Sequence, residues 1–170
     1  IRLNPNTDAK TLSQISTGKK ENKFGISEKF FLKLVDYIKE SKFLKLKCLS
    51  VHIGSQILDN KPYEKMLNVL QKVINKTKFK FEYIDLGGGM GIAYGNNDKK
   101  LNFKKYASSI KKFLRKNASK IIFEPGRAIL GNAGYLISKV IYIKKGDRKD
   151  FIIIDAAMND LIRPALYNAK

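Results

Sequence analysis

The chain has 170 residues, a 44% share of hydrophobic residues and a formal net charge of +19 at neutral pH. This length suits one domain with a buried core, or one domain and part of a second, and the composition excludes a disordered polymer. No apolar run has the length of a membrane span, and no signal-peptide pattern is present. The single cysteine, Cys48, excludes an internal disulfide framework and a cysteine-based metal site. We therefore expect a cytoplasmic protein with no bound metal.

The positive charge comes mainly from lysine and could indicate a protein that binds nucleic acid. The lysines lie mostly on the outward sides of predicted helices, as at Lys104, Lys111 and Lys116, and do not alternate with aromatic residues that could stack on bases. We favour a solvated basic surface, with no specific nucleic-acid partner and no membrane partner. A basic nucleic-acid-binding protein without catalysis remains the alternative from a different functional class.

The first half of the chain alternates strand and helix patterns. Residues 1–5 resemble a strand end, and Ser27 is a candidate N-cap for a first helix. The apolar face of this helix consists of Phe30, Phe31, Leu34, Val35 and Ile38. A strand follows at about residues 46–53, and Asp59 can cap a second helix that has Pro62 in its first turn. The apolar stripe of the second helix consists of Tyr63, Met66, Leu67, Leu70 and Val73.

The same unit then repeats. Residues 81–86 form a predicted strand that runs into three glycines, Asn102 can cap a third helix, and residues 120–124 form another strand. The inward face of the third helix consists of Phe103, Tyr106, Ala107, Ile110, Phe113 and Leu114. The short, apolar strands without alternation are typical of a parallel sheet buried on both faces. Four such units make half of an eight-stranded barrel.

The pattern changes after about Gly131. Residues 133–160 contain two β-rich runs joined by a polar turn at 145–149, which indicates an antiparallel pair. We therefore predict an α/β chain in which residues 1–131 form the second half of a TIM-like (β/α)8 barrel. Residues 132–170 would form the start of a C-terminal antiparallel β domain.

Polar clusters follow four of the predicted strands, at residues 4–5, 52–55, 87–91 and 124–127. Because the carboxyl ends of parallel strands meet at one edge of the sheet, these clusters should lie together. Ligands bind at that edge in parallel α/β folds. The sequence therefore predicts a binding site there.

Three consecutive glycines, Gly87, Gly88 and Gly89, directly follow a strand. They match neither the dinucleotide-binding pattern nor a P-loop. Glycines let backbone N–H groups approach an anion closely, so a phosphate site is one interpretation and a simple tight turn is the other.

Further candidates lie at the same predicted edge. His52, the only histidine of the chain, precedes Ser55; it is either a structural residue or a contact to a flat ring, while the hydroxyl suits a phosphate. Glu124 ends a strand, where a carboxylate without a partner is costly to bury, so it is a functional candidate or an ion-pair partner of Arg127. Arginine is scarce beside lysine. Arg127 and Arg163 therefore indicate binding of phosphate or carboxylate, with surface ion pairs as the alternative.

These candidates describe one ligand when they are combined. Ser55, Gly89 and Gly126 would hold a phosphate, His52 would contact a flat ring, and Glu124 could hold the proton of a ring nitrogen. A phosphate, an aromatic ring and a protonated ring nitrogen are the features of pyridoxal phosphate.

Six motifs occur together in the chain. In order they are RLNPN at 2–6, ISTGKKENKFGI at 15–26, HIGSQ at 52–56, DLGGGMGI at 85–92, EPGRAILGNAG at 124–134 and DAAMNDLIRPALYNA at 155–169. By these motifs, their order and their spacing, the chain resembles the diaminopimelate decarboxylase family of pyridoxal-phosphate enzymes, which has an alanine-racemase-like barrel. The resemblance implies decarboxylation of meso-2,6-diaminopimelate to L-lysine and CO2, the last step of lysine biosynthesis. It also implies a homodimer with active sites at the interface.

The resemblance implies a role for each candidate. His52 would stack on the cofactor ring and Glu124 would bond the pyridine nitrogen, and both would be catalytic. The cofactor would also be bound by Ser55, Gly87, Gly88, Gly89 and Gly126. Arg127 would lie at the cofactor and the substrate, while Arg163 and Tyr167 would contact the distal end of the substrate.

The resemblance also implies two catalytic residues that this chain does not contain. The lysine that forms the Schiff base with the cofactor would precede Ile1, and a catalytic cysteine would follow Lys170. We therefore expect an internal fragment of the enzyme. A related decarboxylase of the same fold, acting on carboxynorspermidine, ornithine or arginine, is the nearest alternative.

Overall fold

The computed structural model describes residues 1–9, 18 and 23–167. Parts of the motifs at 15–26 and 155–169 therefore lie outside the described residues. The elements in chain order are α1 (Glu28–Glu40), β1 (Cys48–Ser50), α2 (Asn60–Thr77), β2 (Tyr83–Asp85), α3 (Phe103–Leu114), β3 (Lys120–Ile122), α4 (Arg127–Leu130), β4 (Val140–Lys144), β5 (Phe151–Ile154) and α5 (Ile162–Tyr167). Within this described part, no helix is both long and apolar enough to cross a membrane.

Strands β1, β2 and β3 form a parallel sheet in that order. Leu49 pairs with Ile84, and Ile84 pairs with Ile121. Because α2 and α3 connect successive parallel strands, the predicted alternation of strand and helix is present. All three carboxyl ends of the strands consequently lie at one edge of the sheet.

The strands are shorter than the sequence predicts. Residues 1–5 form no strand of their own; instead, Arg2 makes a single parallel bridge with Ser50, and Leu3 makes one with Ile26. Strand β1 has three residues, whereas the prediction covered 46–53. The apolar pattern extends further than the strand because residues 51 and 53, in the loop after β1, are also buried.

Two of the three predicted helix caps are made by side chains. The carboxylate of Asp59 accepts a hydrogen bond from the Lys61 backbone N–H at 3.0 Å, and the side chain of Asn102 accepts one from Lys105 at 2.9 Å. Ser27 precedes α1 as predicted but makes no side-chain cap bond. The caps explain why α2 and α3 begin where the sequence indicates.

The helices bury a narrower face than predicted. The α2 stripe is fully confirmed, since its five predicted members are all buried: Tyr63, Met66, Leu67, Leu70 and Val73. In α1, Phe31 and Val35 are buried but Phe30 is 62% exposed; in α3, Phe103 and Ala107 are exposed. The prediction was wrong at these three positions because only one stripe of each helix packs on its neighbours.

The chain after α4 forms a hairpin. Strands β4 and β5 pair antiparallel with Ile143 opposite Ile152, as the two predicted β runs require. The turn is closed by an ion pair between Lys145 Nζ and Asp150 Oδ2 at 2.6 Å. Most side chains of both strands are exposed. The short helices α4 and α5 were not predicted.

Candidate functional site

Three loops meet at the carboxyl edge of the parallel sheet, and together they form the strand-end cluster: residues 52–57 after β1, 85–92 at the end of β2, and 124–127 after β3. The middle loop is bonded to both neighbours. Gly87 O accepts a hydrogen bond from Glu124 N at 2.9 Å, and Gly89 O accepts one from Ile57 N at 2.9 Å. These bonds place three of the four predicted ligand-binding segments side by side.

The three glycines are required by close packing between these loops. Gly87 and Gly89 have positive φ angles of 67° and 84°. A Cβ atom on Gly87 would lie 2.9 Å from His52 Nδ1, and one on Gly88 would overlap the carbonyl oxygen of Glu124. At Gly89 a Cβ atom would overlap the carbonyl oxygen of Gly54. Absence of side chains thus lets the middle loop touch both neighbours.

Two side chains for which the sequence indicated no role in the site, Asp85 and Tyr63, hold the glycine run in place. The carboxylate of Asp85 accepts hydrogen bonds from Gly87 N at 2.8 Å and from Ser50 Oγ at 3.3 Å. The buried hydroxyl of Tyr63, on α2, donates to Gly88 O at 3.3 Å. An aspartate two residues before a glycine is a recognisable turn signal, whereas the Tyr63 contact has no local signal in the sequence.

His52 lies half-buried at the start of the cluster, and its Nδ1 accepts a hydrogen bond from Gly88 N at 3.2 Å. Burial lowers the pKa of the His52 imidazole below 6.5, and the positive charge of Arg2 lowers it further. The ring is therefore neutral at pH 7. Since Nδ1 is the acceptor, the ring proton lies on Nε2.

The cluster contains two further polar side chains, those of Ser55 and Glu124, and open space beside Gly126. The Ser55 hydroxyl is half-buried and makes no hydrogen bond to the residues that the structure describes. Glu124 is exposed, so the expected cost of burying its carboxylate does not arise here. The backbone N–H of Glu124 makes the hydrogen bond to Gly87, and its side chain lies at the surface. Apart from its two chain neighbours, no described residue has an atom within 4 Å of the position of a Cβ on Gly126.

Arg127 does not form the ion pair with Glu124 that the sequence left open. Among the described residues, its Nη1 instead donates a hydrogen bond to Gln56 Oε1 at 3.1 Å. Gln56 is the last residue of the HIGSQ motif, to which the sequence gave no role. The structure thus joins the loop after β3 to the loop after β1 through one side-chain contact.

Arg163 and Tyr167 lie one turn apart on α5, in the last part of the described chain. The guanidinium of Arg163 stacks over the ring of Tyr94, with Cζ 4.2 Å from the ring centroid. Tyr94 follows the glycine run, and its backbone N–H donates to Asp98 Oδ2 at 2.9 Å. Arg163 is therefore connected to the cluster through the end of the middle loop, by a contact that the sequence did not indicate.

The chemistry of the cluster fits pyridoxal phosphate. No described residue hydrogen-bonds to the hydroxyl of Ser55, and the space beside Gly126 leaves room for a ligand next to backbone N–H groups. A neutral imidazole offers a flat face, and the exposed carboxylate of Glu124 is a suitable acceptor for a ring N–H. The described residues contain no group of His, Cys, Asp and Glu that could hold a metal ion.

Comparison with known proteins agrees with this chemistry. Residues 1–131 match the family model described as "Pyridoxal-dependent decarboxylase, pyridoxal binding domain". A diaminopimelate decarboxylase of Aquifex aeolicus is 43% identical over 99% of this chain, and one of Helicobacter pylori is 44% identical over 100%. The chain spans 41% and 42% of the length of these two relatives.

Solved structures show the same similarity in three dimensions. The structure of Helicobacter pylori diaminopimelate decarboxylase complexed with L-lysine has a TM-score of 0.93 and 43% identity, covering 100% of this chain and 43% of that chain. The enzyme of M. jannaschi has a TM-score of 0.86 and 34% identity, covering 99% and 41% respectively. Because the family model matches more than three quarters of its residues, the chain belongs to the pyridoxal-dependent decarboxylase family.

Proposed function

We propose that this chain supplies most of the pyridoxal-phosphate site of an enzyme that decarboxylates meso-2,6-diaminopimelate at its D-centre, giving L-lysine and CO2. The observation that carries the proposal is the strand-end cluster, in which the glycine run contacts the loops of both His52 and Glu124. The substrate is supported by the two relatives above 40% identity, both named diaminopimelate decarboxylase.

The cofactor would be held by both polar and flat groups. Phosphate binding is assigned to the hydroxyl of Ser55 and to the backbone N–H groups of Gly89 and Gly126, with the guanidinium of Arg127 beside them. The N–H groups of Gly87 and Gly88 already donate to Asp85 and His52, so these two glycines would shape the site through their close packing. His52 would cover one face of the ring as a neutral imidazole. The bond from Gly88 N to its Nδ1 sets the orientation of that ring.

When bound, the cofactor would supply an electron sink for the pair left behind as the substrate carboxylate departs as CO2. Glu124 would favour this step by accepting a hydrogen bond from the ring nitrogen and keeping its proton in place. His52 contributes no charge at neutral pH, so the positive charge at the ring is not opposed by a second cation. Arg163 and Tyr167 would bind the distal carboxylate and amine end of the substrate, which places the reacting end toward the cluster.

The same proposal covers architecture and assembly. Residues 1–131 would be the second half of a (β/α)8 barrel, and residues 132–170 the start of an antiparallel β domain. The parallel sheet and the β4–β5 hairpin support these assignments. The enzyme would act in the cytoplasm as a homodimer with active sites at the interface, with its Schiff-base lysine and its catalytic cysteine outside this chain.

The direct test is to express the complete polypeptide that contains this chain and supply it with pyridoxal phosphate. We expect CO2 and L-lysine from meso-2,6-diaminopimelate, with a kcat/KM well above that for ornithine, arginine or carboxynorspermidine. A preference for one of those amino acids would agree with the family assignment and contradict the proposed substrate. An absence of cofactor absorbance together with salt-sensitive nucleic-acid binding would instead favour the non-catalytic alternative.

A further inference from the structure

Among the residues that the structure describes, Gln56 is the one side chain whose hydrogen bonds connect all three loops of the strand-end cluster. Its Nε2 donates to Ile92 O at 2.6 Å, and its Oε1 accepts from Ile92 N at 3.3 Å. The same Oε1 accepts from Arg127 Nη1 at 3.1 Å. From the loop after β1, Gln56 thus hydrogen-bonds to Ile92, at the end of the glycine loop, and to Arg127, the first residue of α4.

The orientation of the Gln56 amide is determined by its partners. A backbone carbonyl can only accept and a guanidinium can only donate, so Nε2 must face Ile92 O and Oε1 must face Arg127. The side chain also continues a backbone pairing, since Ile57 N donates to Gly89 O at 2.9 Å and Gly91 N donates to Ile57 O at 3.1 Å. An amide is the side-chain group that can imitate a peptide unit in this position.

The backbone around Gln56 is shaped for these contacts. Gln56 has a positive φ of 59°, which is uncommon for a residue with a side chain. Gly91 packs closely on it, because a Cβ atom at Gly91 would lie 2.9 Å from the Gln56 carbonyl carbon. The three side-chain hydrogen bonds of Gln56 offset the unfavourable backbone conformation, and the absence of a side chain at Gly91 leaves room for it.

We propose that Gln56 is a positioning residue that fixes the guanidinium of Arg127 for the cofactor phosphate and the substrate. The proposal rests on the function proposed above. Arg127 belongs to a helix of one turn, α4, whose own hydrogen bonds do not restrict a long side chain. Holding that side chain before the ligand arrives removes part of the entropy that would otherwise be lost on binding.

The test is a double-mutant cycle in the complete polypeptide, with Gln56→Met, Arg127→Met and the double variant. Methionine keeps the length of the side chain and removes its hydrogen bonds. The measurement is the Kd for pyridoxal phosphate, by titration of the cofactor-free protein, together with the KM for substrate. We expect each single variant to weaken cofactor binding about tenfold, as for the loss of a hydrogen bond to a charged group, and the double variant to be no worse than Arg127→Met.

Each result decides between the possibilities. Multiplied effects in the double variant would overturn the inference, because Gln56 would then act independently of Arg127. If Arg127→Met leaves both the Kd and the KM unchanged, the assigned role of Arg127 is wrong and the inference fails with it. If the unaltered protein binds no pyridoxal phosphate, the proposed function itself fails.

Two further variants separate positioning from general stability. Gln71→Met removes hydrogen bonds that join α2 to Asn117, away from the cluster, and should leave the Kd unchanged even if the melting temperature falls. Gln56→Glu keeps an acceptor for Arg127 but loses the donor to Ile92 O. It should lower the melting temperature while retaining most of the cofactor affinity; loss of affinity equal to that of Gln56→Met would overturn the inference.

Discussion

The strand-end cluster and the region after α4 differ in how their geometry is held. In the cluster, loops touch so closely that Gly88 has no room for a methyl group, and the residues beneath, such as Leu49 and Ile84, are fully buried. In the later region the β4 and β5 side chains are largely exposed, and a Cβ on Gly134 would meet no atom of the other described residues within 4 Å. Contacts among the described residues thus hold the groups proposed to bind the cofactor more firmly than those proposed to bind the substrate on α5.

The largest predicted effect is on kcat, from a substitution in the strand-end cluster. Glu124→Gln should lower kcat by about a hundredfold or more while cofactor binding survives, because the lost charge acts mainly on the state in which electrons enter the ring. Steady-state kinetics and cofactor titration of the complete protein measure the two quantities. Equal losses of kcat and of cofactor affinity would contradict the assigned role.

A glycine-to-alanine substitution should affect the free energy of unfolding differently in the two regions. Gly88→Ala should lower the free energy of unfolding by about 2 to 3 kcal/mol, because the new Cβ overlaps the Glu124 carbonyl oxygen and both loops must move. The matched control is Gly134→Ala in the exposed region, which should change it by less than about 0.5 kcal/mol. Chemical denaturation of the complete protein measures both, and similar values for the two variants would break the comparison.

Arg163 tests whether the later region serves substrate binding. Arg163→Ala should raise the KM for diaminopimelate about tenfold or more and leave the cofactor Kd unchanged, because a charge-assisted hydrogen bond to the distal carboxylate is lost. The control is Arg148→Ala, in the exposed turn between β4 and β5. An unchanged KM for the Arg163 variant would show that the distal contact is assigned to the wrong residue.

The smallest expected effect concerns pH and His52. Because burial lowers the pKa of this imidazole in the folded state, the unfolded state binds a proton more readily. The contribution of His52 to stability should be complete above pH 6.5 and decrease as the pH falls toward the folded pKa. NMR titration of the ring, assigned by comparison with His52→Asn, should give a pKa below 6.5, and a value above it would show that the ring is not desolvated.

The helices of the first region could be predicted closely because their signals are local. Asp59 and Asn102 cap α2 and α3 through bonds to residues two and three positions later, and the α2 stripe follows the helical repeat. Phe30 and Phe103 could not be assigned, since whether a first-turn residue is covered depends on neighbouring elements. The same reason applies to the strands, whose lengths depend on where partner strands end.

The candidate site shows the same division between local and distant information. Short motifs placed the glycine run, His52, Ser55, Glu124 and Arg127 at strand ends, and the scarcity of arginine marked Arg163. The pairing of Arg127 with Gln56 joins residues 71 positions apart, and Tyr63 reaches Gly88 over 25 positions. Contacts at such separations follow from the packing of loops, so no local pattern could indicate them.

The sequence by itself determined the α/β order, the helix caps and the strand-end position of the candidate residues, because these depend on neighbours along the chain. Only the tertiary structure decided that the three glycines serve close contact between loops, that Glu124 is exposed and that Arg127 binds Gln56. These outcomes depend on the few ångströms between strands that are far apart in sequence. Hydrogen bonding and steric overlap act over that distance, whereas residue patterns describe only what lies along the chain.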